Sequence, residues 1–405
     1  MKSVLQVLSL DLVAKIMLGL IGISLIRFMV SSEYASYTLA LAVVTVVTQS
    51  LASTFNRIYI VGRKQLGLQG SPSSFLGLQL WIMLLLLVLT LPLASVYGSV
   101  YWLIAFLALT TCLSEFSKTF FQQQLKFLRF SMVELLRVLI FGSVVLVLIK
   151  VFGHDLRAWQ VLLVQSIAML LVFVLVSGKH FDPNQLMKVR AVAQLATKLL
   201  GGSYSYLFGY FFVLAFFTQV DVFMLRALAN DSALATYGSA FRYYSLLSLA
   251  LGAVHVVLLP VVQNAQSLAE LRNILTYHKR MVLLFAPVVL TGAWAAQWII
   301  PLIDMGKYPE AVIVFRILAI SAIVSFAFSP YVNLVMRFED FKFLFILIML
   351  ALLIDIGLNV ALVPAFGPVG TAIAAFTSFG IVNGAIFLRA RRYKSLLRIP
   401  NATTP

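Results

Sequence analysis

Twelve long apolar stretches succeed one another along this chain, and short polar segments separate them. The hydrocarbon core of a bilayer is about 30 Å thick and a helix rises about 1.5 Å per residue, so one crossing needs about 20 apolar residues. The expected spans are 9–30, 36–56, 75–96, 99–117, 130–149, 158–178, 199–225, 233–261, 281–303, 310–336, 343–363 and 368–388. The sequence therefore predicts an all-α integral membrane protein of about twelve transmembrane helices.

Composition and charge support lipid as the main solvent. The chain is 62% hydrophobic and 11% charged, which is more apolar surface than a water-soluble core can bury. Its net charge of +16 would suggest a nucleic-acid partner in a soluble protein. Here most basic residues fall in alternate short loops, which is typical of membrane topology. We therefore expect no nucleic-acid partner.

The loop charges predict the orientation of the chain. If the N-terminus is inside, the cytoplasmic loops and the two termini together hold 21 Lys and Arg residues. The opposite loops hold Lys150, Arg157, Arg226 and Lys307. Basic residues are retained on the cytoplasmic side, so we expect a multi-pass protein with both termini in the cytoplasm.

Reporter fusions test this topology. We expect cytoplasmic reporters at Gly67, Asn184 and Asn401, and external reporters at Gly98, Asn230 and Gly367. The physical reason is the retention of basic loops on the cytoplasmic side. A clear inversion at any of the internal sites would require different spans.

The longest polar interval among the interior loops, 179–198, divides the spans into two groups of six. We expect an N-terminal lobe at 1–178, a cytoplasmic linker at 179–198, a C-terminal lobe at 199–390 and a basic tail at 391–405. The halves are weakly similar, since IKVFG at 149–153 parallels VPAFG at 363–367. Such internal symmetry is a feature of transporter folds.

Three segments resemble a known family. They are DVFMLRALANDSALATYGSAFRYY at 221–244, DIGLNVALVPAFGPVGTAIAAFTS at 355–378 and EYASY at 33–37. They resemble motifs of the Wzx-type O-antigen and exopolysaccharide flippases. That family belongs to a superfamily that includes multidrug and toxic-compound extruders and lipid II flippases.

The resemblance implies both a fold and a function. The fold is two six-helix lobes around a central cavity, related to the multidrug and toxic-compound extruders. The function is to move an undecaprenyl-diphosphate-linked oligosaccharide, expected to be anionic, from the inner to the outer leaflet by alternating access. The resemblance also implies that the protein lies in the bacterial cytoplasmic (inner) membrane. Membrane lipids, and a polysaccharide polymerase with its chain-length machinery, are the other expected partners.

Basic residues inside the spans are the first candidates for substrate contact. They are Lys15, Arg27, Arg137, Arg242 and Arg316. A charge at the bilayer centre costs at least about 2.5–3.5 kcal/mol, so each needs an interface, a partner or a wet cavity. Lys15 follows Asp11 by four residues and Arg137 follows Glu134 by three, which places each pair on one helix face. Local pairing is therefore the alternative to substrate contact for Lys15 and Arg137.

Four further charges have no opposite charge three or four residues away: Asp221, Arg242, Arg316 and Asp355. Counted from the helix ends, Asp221, Arg316 and Asp355 lie very roughly 6–12 Å below the outer interface. We expect them to form an interhelical cluster with a structural or coupling role. Within it, Arg316 would be held by Asp221 or Asp355.

Arg242 lies near the predicted midplane, with Tyr237 and Tyr243 close by in sequence. A guanidinium presents a fork of donors that suits a phosphate, and tyrosines add hydroxyls. Arg242, Tyr243 and Tyr237 therefore join Lys15 and Arg137 as predicted substrate-binding residues. The alternative is that Arg242 pairs with Asp355, with an acid in the other lobe or with backbone carbonyls.

Enzymatic and efflux functions are the alternatives. Every predicted external connection is about ten residues or shorter, and no catalytic or metal-binding arrangement occurs. The single Cys112 and four scattered histidines show no ligand spacing, so no metal or cofactor is expected. A polymerase or ligase is therefore disfavoured. Cation-coupled multidrug efflux remains the alternative within transport.

Overall fold

The computed structural model describes residues 2–57, 59, 72–124, 126–186, 197, 204–264 and 267–396. Over each of the twelve predicted spans, nearly all the described residues are helical. Among them, eight helices are long and apolar enough to cross a membrane, or nine if the pair Ser205–Phe217 and Val220–Leu228, bent by 44°, is one span. The predicted all-α, multi-pass membrane fold is confirmed.

Contacts within the chain define two compact units, of which unit 1 is Met1–Gln219. Its α-helices are α1 Lys2–Phe28, α2 Ser31–Thr48, α3 Thr54–Arg57, α4 Pro72–Thr90, α5 Leu93–Tyr97, α6 Ser99–Gln123, α7 Phe127–Phe152, α8 Ala158–Val172, α9 Pro183–Leu186 and α10 Tyr204–Phe217. Helix α1 packs on α7, and α6 packs on α7 and α8.

Unit 2 is Val220–Pro405. Its helices are α11 Val220–Leu228, α12 Asp231–Asn264, α13 Leu268–Asp304, α14 Ala311–Arg337 and α15 Phe341–Leu396. The division between the units falls between α10 and α11, within the predicted seventh span. The linker predicted at 179–198 lies largely outside the described residues, so the proposed lobe boundaries stay a prediction.

Aromatic side chains fill the core of unit 1. Tyr59 contacts Phe75 and Phe116, with ring centroids 5.1 and 5.4 Å apart, and all three rings are fully buried. Large apolar side chains elsewhere point outward, such as Leu146 and Leu175, which are 66% and 72% exposed. A chain that buries aromatic rings and exposes leucine is suited to lipid as solvent.

Helix α15 is two helices that meet at a sharp turn. The first arm, 341–366, and the second arm, 368–396, join at Gly367, where φ is 52°. Glycine adopts this backbone conformation without the steric cost of a Cβ atom. A Cβ on Gly370 would lie 2.6 Å from the carbonyl oxygen of Leu362, so glycine there lets the arms approach closely. These features explain Gly367 and Gly370 of the late sequence motif.

Pro330 interrupts the hydrogen bonding of α14. Proline has no N–H group, so the carbonyl of Phe326, four residues earlier, loses its helical donor. His278 of α13 supplies the replacement, since its Nε2 lies 2.9 Å from that carbonyl oxygen and can only donate to it. A buried carbonyl thereby keeps a partner.

Candidate functional site

Two buried carboxylates meet in unit 2. Asp221 lies at the start of α11, Asp355 lies on the first arm of α15, and Asn359 follows one helical turn after Asp355. Asn359 Nδ2 is 3.5 Å from Asp221 Oδ1 and 3.3 Å from Asp355 Oδ1, and it also donates to the Asp355 carbonyl oxygen at 3.0 Å. One amide group therefore holds both carboxylates, which are 7% and 1% exposed.

Tyr237 belongs to the same cluster. Its hydroxyl donates to Asp221 Oδ2 at 2.5 Å, and the side chain is 1% exposed. The sequence predicts Tyr237 as a substrate contact, which stays a prediction; in the structure its hydroxyl binds a carboxylate. The cause is the turn between α11 and α12, which brings residues 16 positions apart side by side.

Neither Asp221 nor Asp355 forms an ion pair with a basic side chain in the part of the chain that the structure describes. The Ser378 hydroxyl lies beside Asp355, and Asn359 Oδ1 has no hydrogen-bond partner among the described residues. A buried carboxylate is stable when it binds a proton or a cation. We name Asp221, Asp355, Asn359, Tyr237 and Ser378 the carboxylate cluster.

Arg316 does not reach the carboxylate cluster, so the predicted ion pair with Asp221 or Asp355 is not formed. Its Nε donates to the carbonyl oxygen of Ala293 at 2.9 Å, and its Nη2 donates to Gln297 Oε1 at 3.2 Å. Both partners lie on α13. The rotation of α14 about its axis directs Arg316 to that helix, and depth in the membrane alone could not predict this.

Arg242 is half-buried on α12. The neighbouring Tyr243 is buried, and its ring lies edge-on to Phe315 with centroids 6.3 Å apart. On the same helix, Phe241 stacks on Tyr237 with centroids 6.2 Å apart. Arg242 thus lies on a helix that carries several packed aromatic rings. Its contact with substrate stays a prediction.

A second cluster of charges is buried in unit 1. Glu134 of α7 pairs with Arg137, as the spacing predicted, and its Oε2 lies 3.2 Å from Lys118 Nζ of α6. Lys118 also pairs with Glu115 at 3.1 Å, again as its spacing predicts. Half-buried Lys15 of α1 lies close enough for its charge to act on Glu134. We name these five residues the basic cluster, since three cations face two carboxylates.

Sequence reasoning missed two of these features. Asn359 is four residues after Asp355, the spacing of one helix face, so it could have been found as a partner. The pairing of Lys118 with Glu134 joins two helices, and no spacing along one helix predicts it.

Comparisons with known proteins bear on the fold. No family model matches the sequence, and no curated protein matches it. Solved structures do match. A multidrug resistance MATE family transporter of the MOP superfamily, in an inward-facing conformation, has a TM-score of 0.64 at 14% identity, over 97% of this chain and 95% of that chain. The Vibrio cholerae MATE transporter VcmN, in its bent form, has a TM-score of 0.61 at 16% identity, over 98% of each chain.

The lipid II flippase MurJ, in an inward closed conformation, has a TM-score of 0.72 at 15% identity, over 96% of this chain and 87% of that chain. These three proteins are named as transporters or as a flippase. At such low identity the likeness concerns the arrangement of helices. The chain therefore has the membrane fold of the MATE transporters and the lipid II flippase MurJ.

Proposed function

We propose that this protein is an ion-coupled flippase that moves an isoprenoid-diphosphate-linked oligosaccharide across the bacterial cytoplasmic membrane by alternating access. The product would supply O-antigen or exopolysaccharide synthesis, with a polymerase and its chain-length machinery as partners. The lipid carrier would be undecaprenyl diphosphate. The fold supports a transporter or flippase of this superfamily, and the three sequence motifs support the lipid-linked sugar.

The observation that carries the proposal is the carboxylate cluster. Two acids buried at membrane depth cost free energy that apolar residues in the same place would not. Asn359 holds Asp221 and Asp355 within one hydrogen-bonded group, with no cationic side chain of the described residues between them. Binding and release of a proton or a monovalent cation at this pair would couple an ion gradient to transport.

The basic cluster supports an anionic substrate. Its three cations outnumber its two carboxylates, and the most exposed of the five side chains is that of Glu115. Arg137 Nε is buried and has no hydrogen-bond partner among the described residues. A guanidinium with a donor still available suits a phosphate oxygen. Lys15 and Arg137 therefore remain proposed substrate contacts although Arg137 also pairs with Glu134.

Multidrug efflux is the second candidate, and the MATE transporters among the structural neighbours favour it. The substrates of a drug-efflux transporter and of a flippase for diphosphate-linked sugars would carry opposite charges. Efflux of cationic drugs uses acids at the substrate site, whereas flipping of a diphosphate uses bases. Substitution of Arg242 on α12 can therefore distinguish the two functions experimentally.

Arg242→Ala should lower polysaccharide export while leaving the abundance of folded protein unchanged, because the variant loses donors to an anion but keeps the helix. Arg242→Lys should restore export only in part, since an ammonium lacks the planar fork. Export would be measured as surface polysaccharide in a flippase-deficient strain that carries each variant. Drug accumulation would be measured in the same cells.

Arg226→Ala is the matched control, because Arg226 is an exposed arginine paired with Asp231 at the end of α11. It should export normally. Full export by Arg242→Ala at normal abundance would remove Arg242 from the site. Loss of drug efflux with no effect on polysaccharide in any variant would favour the second candidate.

A further inference from the structure

We infer that a file of polar side chains on α14 and on the second arm of α15 carries protons between Asp355 and the end of α14 that is predicted to be cytoplasmic. The inference rests on the proposed function, because it supplies the route by which the coupling ion reaches the carboxylate cluster. It also identifies that ion as a proton. We name Ser378, Asn383, Ser325, Ser329 and Asn333 the polar file.

The lower part of the file lies on one face of α14. Ser325, Ser329 and Asn333 follow one another at intervals of four residues, within an arc of about 80° on a helix of 3.6 residues per turn. Asn333 is completely buried, and neither atom of its amide group has a hydrogen-bond partner among the described residues. The Ser329 hydroxyl is buried in the same way. Buried polar groups of native proteins are normally hydrogen-bonded, so three such atoms on one face point to a ligand.

The upper part of the file lies on the second arm of α15. Asn383 Nδ2 lies 3.4 Å from Ser325 Oγ, which joins the two helices at mid-depth. Ser378, five residues before Asn383, is fully buried beside Asp355. The polar groups thus continue from α14 to the carboxylate cluster.

Water molecules are the ligands that these groups suit. A buried water makes about three hydrogen bonds, and hydroxyl and amide groups spaced one helical turn apart can each bind one and pass it to the next. Protons move along such hydrogen-bonded chains without displacement of the oxygen atoms. A metal cation that moved along the file would need several oxygen ligands and a compensating negative charge at each position. The file contains no carboxylate, so it suits protons better than metal cations.

Arg337 and His278, two charged or titratable side chains near the file, bond to groups outside it. Arg337, one turn beyond Asn333, donates from Nη1 to the carbonyl oxygen of Val262 on α12 at 3.0 Å. His278 of α13 contacts the carbonyl of Phe326, about 100° around α14 from Ser325. At the upper end, Asp355 is the titratable group that adjoins the file, beside Ser378.

Cysteine accessibility tests the file. Cys112 is the only cysteine of the sequence, so a Cys112→Ala background allows single-cysteine variants Ser329→Cys, Asn333→Cys and Val335→Cys. Val335 is the matched control, because it is also fully buried but lies on the opposite face of α14. A membrane-impermeant thiol reagent would be added to inside-out vesicles. We expect Ser329→Cys and Asn333→Cys to react about tenfold or more faster than Val335→Cys, because the thiolate is the reactive form and it forms readily only in hydrated surroundings.

A second measurement tests the proton. Asn333→Leu should slow export driven by a pH gradient and should also slow labelling of Ser325→Cys, whereas Asn333→Ser should preserve both. If Asn333→Cys, Ser329→Cys and Val335→Cys were labelled at equal rates, the polar file would not be a hydrated path. This would hold even if export still depended on an ion gradient. If export were driven by a sodium gradient and did not respond to a pH gradient, the coupling ion would not be a proton. Export that depended on no ion would instead refute the proposed function, whatever the labelling.

Discussion

Asp355→Asn should abolish ion-driven export while folded protein stays at wild-type abundance. Asparagine keeps the shape of the side chain and can still bond to Asn359, but it binds neither a proton nor a cation as a carboxylate does. A hydrogen bond to a charged group contributes about 1.5–3 kcal/mol. Loss of one such ligand would weaken ion binding about 10- to 150-fold. Asp221→Asn should act in the same direction, since Asn359 connects the two acids.

Purified protein in proteoliposomes allows export to be measured against an imposed ion gradient. Asp304→Asn is a suitable control, because Asp304 is a fully buried acid of the same unit that caps the end of α13 through the Gly306 N–H. It should transport normally. Wild-type export by Asp355→Asn under the same gradient would exclude the carboxylate cluster from coupling.

Among substitutions in the basic cluster, Glu134→Ala should cause the largest loss of folding stability. Glu134 is 3% exposed and pairs with both Arg137 and Lys118, so its removal leaves two buried cations with less compensation. Breaking a buried ion pair by removing one partner costs about 3–5 kcal/mol. For a membrane protein this loss should appear as low abundance and as a lower unfolding temperature in detergent.

Glu115→Ala is the matched control. Its side chain is 37% exposed, and ion pairs of exposed groups contribute about 0–1 kcal/mol. The unfolding temperature of Glu115→Ala should therefore stay close to that of the wild type. If Glu134→Ala unfolded at the same temperature as Glu115→Ala, the basic cluster would not stabilise unit 1. Adding Lys118→Met and Arg137→Met to Glu134→Leu should restore stability, because an apolar triad removes the uncompensated charges.

The sequence predicted the helices well because hydropathy and length are properties of one segment at a time. Pairs three residues apart, such as Glu134 with Arg137, were also predictable for the same reason. The partner of Arg316 was not, because it depends on how α14 is rotated against α13. The same limit hid the contact of Lys118 with Glu134.

The carboxylate cluster was predictable from the sequence only in part. Its acids were predicted from the cost of charge in a membrane, which needs no partner to be known. The amide that holds them was overlooked, although Asn359 shares a helix face with Asp355. The bond from Tyr237 to Asp221 was not predicted, because the two residues are 16 positions apart and lie on different helices.

Pro330 marks off a segment of α14 on either side of it, and the bond from His278 gives the Phe326 carbonyl the donor that the proline lacks. One segment, before Pro330, is anchored by Arg316 to α13, and the other carries Asn333 and Arg337. Tilting the second segment breaks no internal hydrogen bond at the proline, since the donor to that carbonyl comes from a different helix. A tilt of the second segment about Pro330 would therefore move Asn333 relative to Ser325, whose hydroxyl lies 3.4 Å from Asn383 Nδ2.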